Sequence, residues 1–274
     1  MRLHLLALAV MASTPAAAQI AGGPPVAYTF SSPRGSTISL IQADGTGPVA
    51  LYKAANKQQI QFLSLRPQGN EIAFSERGQL KILSFDDRGL AVGAPRSIIT
   101  PCFVSNMDYH PTDGSLLVQV DCTPQQIFRV AAGASTLDPA PLATGNFAVK
   151  PVWARDGSKF YYRDPPGLHE VTLATSANTL LPLTWTPFSA LRSSDKLVVQ
   201  TNVFQIGDIA AATLTPVCTN VGGAPVYGPS DQNFIYTTPN TNKGAYLMMA
   251  KADCSGAPVR LVGDSGLQWA YDWR

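Results

Sequence analysis

Only a few residues in this chain are of types that could do chemistry. Beyond the first eighteen positions there are two histidines, His110 and His169. His110 precedes a turn and His169 sits beside Glu170 in an apolar stretch, so no three-ligand metal site is expected from them, and no H-E-x-x-H or calcium-loop pattern occurs. Gly263-Asp264-Ser265-Gly266 matches the short stretch around a chymotrypsin-like nucleophile. A serine nucleophile needs a base within hydrogen-bond reach. Neither histidine stands in the matching segment, and the residue after Gly266 is Leu267. The stretch is therefore read as a loop. G-x-S-x-G and phosphate-binding glycine loops are absent. Asp86-Asp87 could suggest a glycosidase pair, but adjacent acids in a turn cannot flank a substrate. Trp153, Trp185, Trp269 and Trp273 could stack on sugars. Three of them fall on strands and are expected to pack, leaving Trp185, in a connecting loop, as the binding candidate. No catalytic residue, cofactor or metal is expected.

The elements that hold these residues repeat. An apolar strand, a tight polar turn and a second strand recur in Leu65–Phe74, Tyr109–Val118 and Val152–Tyr162, and more weakly in Leu191–Val199 and Tyr227–Tyr236. Turn centres near 69, 113, 156, 195 and 231 give steps of roughly 36 to 44 residues. Asp-Gly and Pro-x-Gly tolerate positive φ and close short hairpins. A third strand follows each copy, as in Gln79–Leu83 and Ala245–Met249, and then a shorter fourth, as in Val259–Val262. Units of about forty residues with four strands each are propeller blades.

The two ends of the chain complete each other. Val26–Phe30 is second-strand material without a first strand, and Gln268–Arg274 is a first strand with nothing after it. Tyr271-Asp272-Trp273-Arg274 parallels Met107-Asp108-Tyr109-His110. The expectation is an all-β, six-bladed propeller of four antiparallel strands per blade, over residues 19–274, with one blade shared between the termini. The copies resemble the TolB-type propeller repeat, roughly W-S-P-D-G-x-x-I-A-F, best in Trp153-Ala154-Arg155-Asp156-Gly157-Ser158-Lys159-Phe160. The resemblance spans the mature chain and implies a radial array with each first strand innermost. It implies no active site.

Composition narrows the setting. Of 274 residues 45% are hydrophobic and only 14% charged, and the net charge of +2 gives no reason to expect nucleic acid. Arg2 and His4, the apolar run Leu5–Met11 and Pro15-Ala16-Ala17-Ala18 read as a signal peptide, residues 1–18, cleaved before Gln19. That run is too short to span a bilayer, and no transmembrane segment is expected. The protein is then periplasmic or secreted, where its four cysteines are expected to pair. Cys102 and Cys122 lie symmetrically about Thr112 and are expected to bond, leaving Cys218 with Cys254 by exclusion.

The functional expectation is a non-catalytic binding or protein-interaction scaffold in the cell envelope, with an envelope protein or peptide as partner. A propeller hydrolase or lyase with a site at the channel mouth, or a carbohydrate-binding propeller, are the alternatives. The loops entering first and third strands carry Arg34, Phe147, Arg163, Trp185, Phe204 and Lys243, and this basic, aromatic end is the expected docking face. The opposite end gathers Asp44, Asp86, Asp87, Asp113, Asp156, Asp195, Asp231 and Asp253. It reads either as an acidic face or as a set of turn-forming aspartates.

Overall fold

The structure is a computed structural model describing residues 25–55, 58–67, 69–165, 167–201, 203–217, 223, 225–238, 246–262 and 271–273. These form six four-stranded antiparallel sheets. In the first blade, Tyr271–Trp273 lies inside Val26–Ser32, Gly35–Ile41 and Val49–Lys53. The second runs Ile60–Leu65, Glu71–Glu76, Gln79–Phe85 and Ala91–Ile98. Val104–Tyr109, Leu116–Val120, Gln125–Val130 and Ala143–Gly145 make the third, and Val149–Trp153, Lys159–Asp164, Gly167–Thr172 and Ala177–Leu181 the fourth. Thr186–Ala190, Lys196–Gln200, Phe204–Asp208 and Thr213–Pro216 make the fifth. The sixth is Val226–Tyr227, Asn233–Thr237, Leu247–Lys251 and Val259–Arg260. The first strands contact one another in cyclic order, and the strand of the sixth blade meets Tyr271–Trp273, which closes the ring.

The shared blade is formed as the two chain ends suggested. Val26 pairs with Trp273, Ala27 with Asp272 and Tyr28 with Tyr271. The proposed leader, residues 1–18, lies outside the described residues.

Burial follows from the radial stacking. A second strand has another blade against each face, so its apolar residues run without alternation. All of Leu116–Val120 are buried, as are Phe160, Tyr161 and Tyr162. Fourth strands lie at the rim, and Ala177–Leu180, Thr213–Pro216 and Val259–Arg260 are exposed. Truncating one of the buried leucines to Ala would cost about 2–5 kcal/mol.

Polar bonds also stitch one inner strand to the next. Asp272 Oδ2 accepts the Leu65 N–H at 2.8 Å, Ser64 Oγ accepts the Tyr109 N–H at 3.2 Å, and Asp108 Oδ2 accepts the Trp153 N–H at 2.8 Å. The equivalence of Asp272 with Asp108 is thus one of role as well as spacing. Cys102 and Cys122 flank the first hairpin of the third blade and are disulfide-bonded, with Cα atoms 5.4 Å apart. Cys254 is disulfide-bonded too, while Cys218 lies outside the described residues.

Candidate functional site

The inner strands of four blades carry β-bulges. Register shifts fall between Ile60 and Phe62, Val104 and Asn106, Val149 and Val152, and Pro187 and Ser189. A bulge leaves a residue outside the ladder and re-aims its side chain. In the fourth and fifth blades the bulged segments hold Lys150 and Phe188. Lys150 adopts φ of 54°, a left-handed conformation uncommon for a non-glycine residue, and here it falls inside a bulge of an inner strand. Here the Lys150 N–H is fixed at 2.9 Å on Gln119 Oε1, which also accepts from the Asn106 amide at 3.2 Å.

The result is a cavity of about 270 Å³ on the propeller axis, to which all six blades contribute. Phe62, Met107, Pro151 and Phe188 supply apolar walls, and Gln61, Asn106 and Lys150 supply polar groups. The Lys150 ammonium sits 3.0 Å from the centre of the Phe188 ring. Burial pulls its pKa down from 10.5 to about 8. Asp108 and Asp272 also line the cavity, with the bonds to neighbouring backbone N–H groups already described.

Sequence reasoning missed Lys150 and Phe188. A lysine at the start of an inner strand, in Val149-Lys150-Pro151-Val152-Trp153, was the available signal.

The expected docking residues are not one cluster. Arg34 is exposed at the tip of the first blade's turn, and Phe147 is 62% exposed, its N–H bonded to Asp164 at 2.8 Å. Arg163 is tied inward, donating to Thr184 O at 2.7 Å and Thr186 Oγ1 at 3.2 Å. Phe204 is half-buried, edge-on to Phe188 with ring centres 5.0 Å apart. Lys243 lies outside the described residues. Trp185 corrects the reading of it as a prominent contact. It does occupy a connecting segment, but it is buried at 6% exposure between the fourth and fifth blades. Gly207 makes room for it: a Cβ there would stand 2.8 Å from the indole. With Trp153 and Trp273 buried as well, no tryptophan among the described residues offers a face for sugar stacking.

The other end is not a free acidic surface. Its aspartates accept hydrogen bonds from their own turns: Asp44 from Thr46, Asp86 from Arg88 and Leu90, Asp156 from Ser158, and Asp253 from Ser255. These donors hold the four carboxyls below the usual range. Basic neighbours add to this, Arg88 at 2.8 Å from Asp86 and Arg129 at 3.2 Å from Asp113. His110 belongs to the same turns. Its Nδ1 accepts the Asp113 N–H at 3.0 Å and its Nε2 meets Gly157 O at 3.2 Å, so the ring serves structure. Among the described residues no three His, Cys, Asp or Glu side chains gather as metal ligands, and no helix is long and apolar enough to cross a membrane.

A closed ring of six four-stranded blades around an axial cavity defines a six-bladed β-propeller. Its fold is TolB-like. Over 91% of this chain it matches TolB from Acinetobacter baumannii with a TM-score of 0.74 at 14% identity. It spans 66% of that protein, just under two thirds of its length. A structure described as a TolB from Agrobacterium tumefaciens matches at TM-score 0.64 and 12% identity, covering 88% of this chain and 90% of that one. A chain of a nidogen/laminin complex matches at 0.65 and 12%, covering 91% and 98%. No protein-family model and no curated sequence matches the chain.

Proposed function

We propose that this protein is an exported, non-catalytic propeller that binds a protein or peptide of the cell envelope through the loops entering its first and third strands. One observation carries this reading. Among the described residues the four most exposed large hydrophobics, Ile99 at 78%, Phe103 at 69%, Phe147 at 62% and Val203 at 60%, all lie in those loops. Toward the hairpin end the exposed large hydrophobics are fewer in the turns themselves, Leu90 at 37%, with Val92 at 58%, Val259 at 49% and Leu214 at 36% at the starts of the outermost strands. Exposed aromatic and aliphatic side chains on a rigid frame are what protein interfaces bury. A groove of about 600 Å³ runs beside Ile99 and Phe103, next to the Cys102–Cys122 bridge. A disulfide supports an oxidising compartment, periplasmic or extracellular. The binding face therefore rests on Phe103, Phe147, Ile99 and Val203, with Arg34 at its rim, and not on Trp185.

The test is site-specific photo-crosslinking in living cells. A photoreactive residue at Phe103 or Phe147 is expected to capture one and the same partner. The same residue at Asp253, on the hairpin end, is expected to capture none. Adducts formed only from the hairpin end would overturn the assignment. Changing Phe103 and Phe147 together to Ser is expected to weaken the captured partner's affinity more than tenfold.

A further inference from the structure

We propose that the axial cavity is a binding site for a small organic carboxylate, with the anion on the Lys150 ammonium and the apolar body among Phe62, Met107 and Pro151. The site goes beyond the loop-face reading and stands on different residues.

Three features of the cavity lead here. The first is an uncompensated cation. Among the described residues Lys150 forms no ion pair, and its ammonium stands against the Phe188 ring. The two carboxylates that line the same cavity, Asp108 and Asp272, are engaged instead by the Trp153 and Leu65 N–H groups. Burying an ammonium without an acceptor is costly, and an entering anion would remove that cost.

The second is the way the cation is held. Lys150 stands in a left-handed backbone conformation within a bulge, pinned by Gln119, whose own amide donates to Asp121 Oδ1 at 3.0 Å. Side chains held in strained backbone over a cavity cluster at ligand sites.

The third is the match of size and wall. About 270 Å³ holds roughly nine waters at about 30 Å³ each, or an acid of about ten heavy atoms. A single ammonium suits a monoanion. A phosphate-type dianion is usually met by a guanidinium fork or several cations. The apolar walls favour a carbon body over a bare inorganic ion, and the Gln61 amide in the lining offers a further hydrogen bond.

Benzoate is the probe, with benzamide as its neutral isostere and Gly-Gly-Phe as a chain-terminal carboxylate. The readout is the ¹³C-methyl resonance of Met107, which lines the cavity. Benzoate is expected to shift it saturably, with a Kd at least tenfold lower than that of benzamide. Lys150→Met and Lys150→Gln are each expected to raise the benzoate Kd at least tenfold. Spectral dispersion establishes that both remain folded, and Val259→Ser, on an outermost strand, is expected to bind benzoate as wild type does. Equal affinity for benzoate and benzamide would overturn the proposal, as would undiminished benzoate binding in both Lys150 variants. Saturable binding of Gly-Gly-Phe without binding of benzoate would also overturn it, in favour of a peptide terminus as occupant.

Discussion

Replacing Lys150 with Met is expected to stabilise the protein at neutral pH. The magnitude follows from the site. The pKa lies at about 8 where an ordinary lysine has 10.5, and that gap corresponds to about 3.4 kcal/mol against the charged form at ~1.36 kcal/mol per pH unit. The Phe188 face, 3.0 Å from the ammonium, returns about 1 kcal/mol. Part of the remainder is screened at a side chain only partly withdrawn from solvent, which leaves about 1–2 kcal/mol. Methionine keeps the length and the left-handed backbone, so the comparison isolates the charge. A pKa lowered in the native state means that the unfolded chain holds more protons between about pH 8 and 10.5. Wild-type stability should therefore rise across that window, and the advantage of Lys150→Met should be full below about 8 and shrink toward 10.5. Urea unfolding of both proteins at pH 7 and pH 10 measures this. A Met variant less stable than wild type at pH 7, or an equal difference at both pH values, would refute the reasoning.

Asp272→Ala and Asp108→Ala should each cost about 1–3 kcal/mol in chemical denaturation, because each leaves a buried backbone N–H, of Leu65 or Trp153, without its acceptor. Gly157→Ala should lower the melting temperature by an amount equivalent to about 1–3 kcal/mol, since Gly157 has φ of 72° and an added Cβ would collide with the His110 ring. Reducing the Cys102–Cys122 bridge, whose partners are 20 positions apart, should cost about 3 kcal/mol by unfolding under reducing and non-reducing conditions. Asp86, Asp156 and Asp253 titrate below 3.8 in the folded protein. Their contribution is full above that value and is lost as pH falls through the lowered native values, so the melting temperature should drop between pH 4 and pH 2, and a level profile there would count against these turns.

The architecture was legible because blades announce themselves twice. The Asp-Gly and Pro-x-Gly hairpins mark the period, and apolar second strands such as Leu116–Val120 mark the middle of each sheet. The half-blades at Val26 and Tyr271 then had only one arrangement that left no unpaired inner edge. The cysteine symmetry about Thr112 located one bridge for the same reason, that antiparallel pairing maps sequence symmetry onto space. What sequence could not supply was direction within the irregular segments. Trp185 was correctly placed in a connection, yet its indole turns inward over Gly207. Lys150 and Phe188 owe their meeting to two bulges, and a bulge breaks the alternation from which facing is inferred. The aspartates of the hairpin end show the opposite limit. Their positions were plain, but whether they form a charged surface depended on which turn N–H groups and arginines they meet.

The joint between Val26–Tyr28 and Tyr271–Trp273 gives folding an order. A hairpin contact such as Leu65 with Ile72 closes a loop of a few residues, whereas Val26 with Trp273 closes nearly the whole chain. At (3/2)RT ln n, the difference in loop entropy is about 3 kcal/mol, before any shortening by blades already formed. Local sheets can therefore appear early and independently, as units of a linear array do, and the long-range clasp comes last. Until then the intermediate is an open fan with one unpaired inner edge. Once the clasp shuts, no blade is terminal. An array that could fray from either end becomes one that unfolds as a whole, so amide exchange in the fourth blade should respond to weakening of the first.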